Sequence, residues 1–177
     1  MARADPTMNS ASRQHVSNVW IVCLLLPLIG LATAGLARPA GQEPPVPSDP
    51  WTARQTMQPA DLAKQFEKAG SKTPLVVCVG FGTLYRQAHI PSAELHGPAS
   101  TADGLADLKK WVGKLPRDRE IVLYCGCCPF AHCPNVRPAF TALVGMGFKS
   151  VRVLVLGTSL GQDWIEKGYP TVRRGTQ

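Results

Sequence analysis

EIVLYCGCCPFAHCPN, Glu120 to Asn135, runs from a short apolar segment directly into a loop that carries Cys125, Cys127, Cys128 and Cys133. A continuous apolar run with β-branched members is the pattern of a strand covered on both faces. The next stretch, NVRPAFTALVGMGF (Asn135 to Phe148), reads as a helix: Asn135 is its expected N-cap, Pro138 sits in its first turn, and Gly145 and Gly147 lie at its end. A loop that leaves the carboxyl end of a buried strand and enters a helix is where open α/β sheets bind ligands. Unpaired backbone N–H groups and the helix dipole favour an anion there, and a thiolate is an anion. Cys125, the first residue past the strand, is therefore the expected nucleophile.

The same two periods recur on either side. PADLAKQFEKAG (Pro59 to Gly70) pairs Leu62 with Phe66 four residues on, a short amphipathic helix. PLVVCVG and SVRVLVL are further buried strands. TADGLADLKKWVGKLP places Leu105, Leu108, Trp111, Val112 and Leu115 at helical spacing and ends on Pro116, and LGQDWIEKGYP is a final short helix. Alternation of strand and helix predicts a parallel sheet with helices on its faces.

The N-terminal part follows another logic. Arg3 and Arg13 precede the apolar VWIVCLLLPLIGL, and small-residue sites follow at Ala32 to Ala34 and Gly35 to Ala37. Residues 1–37 therefore read as a secretory signal, with an uncleaved membrane anchor as the second reading. Cys23 within the apolar run reads as a small hydrophobe. Both readings place the protein outside the cytoplasm, periplasmic or secreted, and in membrane contact only if the segment is retained. Residues 38–52, with Pro39, Pro44, Pro45, Pro47 and Pro50, read as an extended spacer, which leaves residues 53–174 as one domain.

The chain has 19 basic and 12 acidic side chains. They are interleaved along predicted helix faces and loops rather than gathered into a stripe, and no nucleic-acid motif is present. The charge supports at most a preference for small anions.

Four segments, in order, resemble those of rhodanese-like domains. QAHIPSAE (Gln87 to Glu94) resembles their GHIPGA stretch, LPRDREIVLYC resembles the strand leading to their cysteine, and MGFKSVRVL with DWIEKGYP resembles their ending. The resemblance covers Thr56 to Arg173. It implies an α/β fold with a five-stranded parallel sheet flanked by helices. It also implies an enzyme of the thiosulfate sulfurtransferase type, needing no cofactor, in which Cys125 takes a sulfane sulfur from a small donor such as thiosulfate, holds it as a persulfide and passes it to a thiol acceptor. His89 matches the family's buried histidine. Two departures stand out. The Asp-x-Arg pattern that ends the family's first strand corresponds to Cys78 and Gly80 here, and the loop from Cys125 to Pro134 has ten residues where six are usual.

Other chemistries fit the same loop. Cys125 and Cys128 form a C-x-x-C, the spacing of a thiol–disulfide redox pair. No metal is expected, since adjacent Cys127 and Cys128 do not easily share one tetrahedral ion; if one binds, its ligands come from Cys125, Cys127, Cys128, His132 and Cys133. A structural disulfide joining Cys127 or Cys128 to Cys133 is a further reading, as is a non-catalytic rhodanese fold that binds a partner through this loop. Arg137, in the first turn of the helix, is a candidate for holding an anionic donor. Cys78 in its buried strand reads as inert, and His96 as a loop histidine without a task.

Overall fold

A computed structural model describes residues 48–68 and 73–175. The segment read as a signal and the first part of the spacer, through residue 47, lie outside the described residues, as does Gly70. Among the described residues no helix is long and apolar enough to cross a membrane.

The expected strands form at β2 (Leu75–Cys78), β5 (Ile121–Tyr124) and β6 (Val151–Leu154). Two short strands complete the sheet: β1 (Thr56–Met57) and β4 (Glu94–Leu95). All five run parallel in the order β1-β6-β5-β2-β4. A separate antiparallel pair joins β3 (Ala88–His89) to β7 (Val172–Arg173). β5 is the middle strand, buried along its whole length, and its two neighbours carry its hydrogen bonds.

Alternation along the strands divides the core into two layers. Val77, Ile121, Leu123, Val151 and Val153 face Leu108, Val112, Phe140 and Leu143 of α3 (Ala102–Val112) and α4 (Val136–Gly145). Val76, Val122, Tyr124 and Leu154 face Leu62 of α1 (Pro59–Glu67) and Trp164 of the π-type turn Gly161–Ile165. The α1 helix begins as expected, with Pro59 in its first turn. Thr101 caps α3, its hydroxyl accepting a hydrogen bond from the Gly104 N–H at 3.1 Å. A six-residue helix, α2 (Gly82–Gln87), follows β2.

Packing begins earlier than the proline-rich composition implies. Trp51, inside the stretch read as spacer, is 9% exposed and lies against Phe130 and Phe140 at ring-centroid distances of 5.1 and 5.5 Å. Asp49 binds the Arg137 guanidinium at 2.6 Å. An aromatic side chain brings enough apolar area to anchor an otherwise extended segment. Trp51→Ala should therefore lower stability by about 3 kcal/mol, read as a lower urea midpoint with an unchanged denaturant slope. A midpoint equal to that of the unaltered protein would mean that residues 48–52 are spacer after all.

Candidate active site

Cys125 follows the last residue of β5, is 6% exposed, and lies where the loop turns away from the sheet. Gly126, at φ +82°, makes that turn, a left-handed conformation that glycine adopts without strain. Its carbonyl accepts a hydrogen bond from Leu160 N–H at 3.1 Å, which ties the turn to the segment before Gly161–Ile165. The space beside Cys125 is already full. A Cβ on Gly80 would lie 2.6 Å from the Cys125 carbonyl oxygen and 2.9 Å from its Sγ. The departure at Gly80 thus has a steric reason: the cysteine occupies the volume that any side chain there would need.

Asn135 is fully buried, and it is not the side-chain cap that its position before α4 suggests. Its Oδ1 accepts from the Ser100 N–H at 2.9 Å, and its Nδ2 donates to Cys125 Sγ at 3.3 Å. One amide side chain thereby joins the loop before α3 to the sulfur of Cys125. The backbone N–H groups of Asn135 and Val136, at the start of α4, point at Cys133. The Cys133 thiol is held well above its usual range, first by its hydrogen bond to Cys125 and then by burial. A protonated Cys133 is a donor, so the polarity of the helix terminus reaches Cys125 through that thiol.

Cys127 Sγ stands 3.2 Å from Cys125 Sγ, and Cys128 Sγ stands 3.3 Å from Cys127 Sγ. Burial pushes the Cys127 and Cys128 thiols up. All five described cysteines are free thiols. The disulfide between Cys127 or Cys128 and Cys133, one of the alternative readings of the loop, is not present among them. The turn at Gly126 folds the chain back within two residues, so Cys127 stands against Cys125; Cys128, the partner in the C-x-x-C reading, also hydrogen-bonds Cys125. His132 is exposed on the short 3-10 turn Phe130–His132 and stands outside the sulfur group.

Arg137 is committed elsewhere. Its guanidinium donates to the carbonyls of Cys133 at 3.2 Å and Ala131 at 3.0 Å, forms the ion pair with Asp49, and lies 5.5 Å from the Trp51 ring centroid. It clamps the loop from behind and does not face the sulfur, contrary to the anion-holding role expected from its position. His89 is half-buried, with Nδ1 at 2.9 Å from the Tyr85 carbonyl and its ring stacked on Tyr85, a structural role. His96 pairs with Asp107 at 2.7 Å and stacks on Trp111. Burial pushes the Cys78 thiol up to about 11, which agrees with its reading as inert.

A pocket of about 300 Å³ opens over Cys125, walled by Leu84, Tyr85, Ala88, Leu160 and Ile165. None of its lining side chains is charged.

No family model matches the sequence, and no curated protein matches it. Solved structures do. A crystal structure of a Bacillus halodurans protein superposes with a TM-score of 0.53 at 21% identity, covering 67% of this chain and 77% of that one. The solution structure of a rhodanese-like domain from an Anabaena protein gives 0.51 at 20% identity, covering 70% and 83%. The fold is rhodanese-like. At this identity the likeness concerns the rhodanese-like architecture alone, and the chemistry of the site has to come from its own residues.

Two substitutions separate the supports of Cys125. Asn135→Ala removes a donor worth about 1.4 kcal/mol to a charged acceptor, and should slow iodoacetamide labelling of Cys125 about tenfold. Gly80→Ala forces the loop outward and should cost about 2 kcal/mol of stability. Peptide mapping after timed labelling reads the first, and urea denaturation reads the second. Unchanged labelling of Cys125 in the Asn135 variant would remove that amide from the site.

Proposed function

We propose that this rhodanese-like domain is a sulfurtransferase that carries a sulfane sulfur as a persulfide on Cys125. The observation that carries the reading is the placement of one sulfur. Cys125 Sγ is held at the carboxyl end of the middle strand by the Asn135 amide and lies at the floor of an open pocket. A positioned thiolate supplied with hydrogen-bond donors is what nucleophilic attack on sulfur requires.

In the proposed reaction the Cys125 thiolate attacks the sulfane sulfur of the donor. The new S–S bond forms as the donor's own bond to that sulfur breaks, and the electron pair leaves with sulfite or a thiolate. An acceptor thiolate then attacks the terminal sulfur and regenerates the Cys125 thiolate. Because the pocket wall carries no charge, a persulfide with an apolar tail suits it better than the dianion thiosulfate, which would enter without a cation to replace its water. We propose further that this activity lies outside the cytoplasm, on the reading of residues 1–37 as an export signal or membrane anchor.

Intact-mass measurement of the reduced protein after exposure to an alkyl persulfide should show one added sulfur, mapped to Cys125 and lost in Cys125→Ser. With thiosulfate at the same concentration, loading should be at least about tenfold slower, the factor for ~1.4 kcal/mol. Absence of any adduct with either donor would overturn the assignment. The 3.2 Å contact of Cys125 with Cys127 favours a second reading, thiol–disulfide exchange with Cys127 resolving. Covalent partners trapped by Cys127→Ser, with no sulfur adduct, would select it.

A further inference from the structure

The sulfur-transfer reading uses Cys125 alone and leaves Cys127 and Cys128 without a task. The Sγ atoms of all three lie within 4.8 Å of one another. Their contacts of 3.2 and 3.3 Å are well outside the ~2.05 Å of a disulfide. Adjacent cysteines were expected not to converge on one ion. They do converge because the turn at Gly126 sends the chain back across the end of β5, so that Cys127 and Cys128 both point to the sulfur of Cys125.

We propose that Cys125, Cys127 and Cys128 form a three-thiolate site for copper(I). Three features select that ion. The donor set is all sulfur, with no carboxylate and no imidazole in the group, and soft thiolates favour copper(I) over hard divalent ions. The number of sulfurs is three, a complete trigonal shell for a d10 monovalent ion, whereas structural zinc is almost always bound by four ligands. Cys133, the nearest candidate for a fourth, hydrogen-bonds Cys125 and Cys128 from the side but is not among the three sulfurs that lie within 4.8 Å of one another, and it receives the N–H groups at the start of α4.

The sizes also agree. Metal–sulfur bonds of about 2.3 Å in a trigonal plane set the sulfurs about 4.0 Å apart. Each short contact therefore has to open by less than about 1 Å, and the outer limit of 4.8 Å is not exceeded. Cys125 is fixed by the sheet and by Asn135, while half-buried Cys127 and Cys128 lie toward solvent and can make the adjustment. Binding displaces thiol protons to solvent and changes no oxidation state.

The proposal stands apart from sulfur transfer, and its assay uses no sulfur donor, so the two can fail separately. The reduced full-length protein, kept anaerobic, is titrated with copper(I) in competition with a chromophoric copper(I) chelator. One copper per chain should be withdrawn from the chelator. Cys128→Ser, whose side chain is no part of the pocket wall, should weaken binding at least about a hundredfold, since even second-shell losses cost ten- to a hundredfold. The same variant should keep the unfolding midpoint of the unaltered protein and still load sulfur on Cys125. Substoichiometric copper, or an affinity in Cys127→Ser and Cys128→Ser equal to that of the unaltered protein, would overturn the site. Tighter binding of zinc than of copper(I), lost in Cys133→Ser, would overturn it in favour of a four-thiolate centre.

Discussion

The buried amide of Asn135 holds the site in register with the fold. Its oxygen satisfies the Ser100 N–H ahead of α3 and its nitrogen satisfies Cys125 Sγ after β5. Both partners are thereby fixed from a single side chain at the start of α4. A buried amide is stable only when its groups are paired, so the loop conformation, the approach of α3 and the position of the sulfur are set together. Ala99 N–H donating to the Val79 carbonyl, and Val79 N–H to the Tyr124 carbonyl, extend the same restraint from β2 to β5. Moving any one of these segments leaves a polar group in the core without a partner.

Much of this was legible in the sequence, and the reason is periodicity. IVLY, LVVC and VRVL are buried on both faces because β5, β2 and β6 are the inner strands of a parallel sheet. Such strands must be apolar throughout, and that signal survives without any alignment. The edge strands β1 and β4 are two residues long and carry no period, so only the resemblance to rhodanese-like domains called for five strands. Trp51 stands at the boundary read between spacer and domain, and composition speaks for a segment but does not say on which side of such a boundary one aromatic ring packs.

The site was legible in its first residue and not in its geometry. Cys125 follows from the end of a strand, which is a local feature. Asn135 also sits where the sequence reads a cap, but a side chain that can cap a helix can equally reach across to another segment, and spacing alone does not choose. The same limit applied to Arg137, whose partners are a tryptophan and an aspartate from the segment before the domain. Gly80 could have been found earlier: a glycine at the carboxyl end of a buried strand marks close approach of another chain segment. Here that segment is the cysteine itself.

Among the described residues no charged side chain lines the pocket at this sulfur. The chain is +7 overall, yet the pocket wall is uncharged and Arg137 is engaged behind the loop. Whatever stabilises an anion on Cys125 therefore comes from donors in direct contact: the Asn135 amide and the Cys133 thiol that passes on the polarity of α4. Hydrogen bonds of this kind act over one contact distance in a water-poor setting, where dissolved ions screen little. Reactivity built this way depends on the exact folding of ten loop residues, and hardly at all on the surface charges that dominate the composition. That dependence accounts for the many ties on the loop: Leu160 to Gly126, Phe130 to the Leu156 carbonyl, and Arg137 to two of its carbonyls.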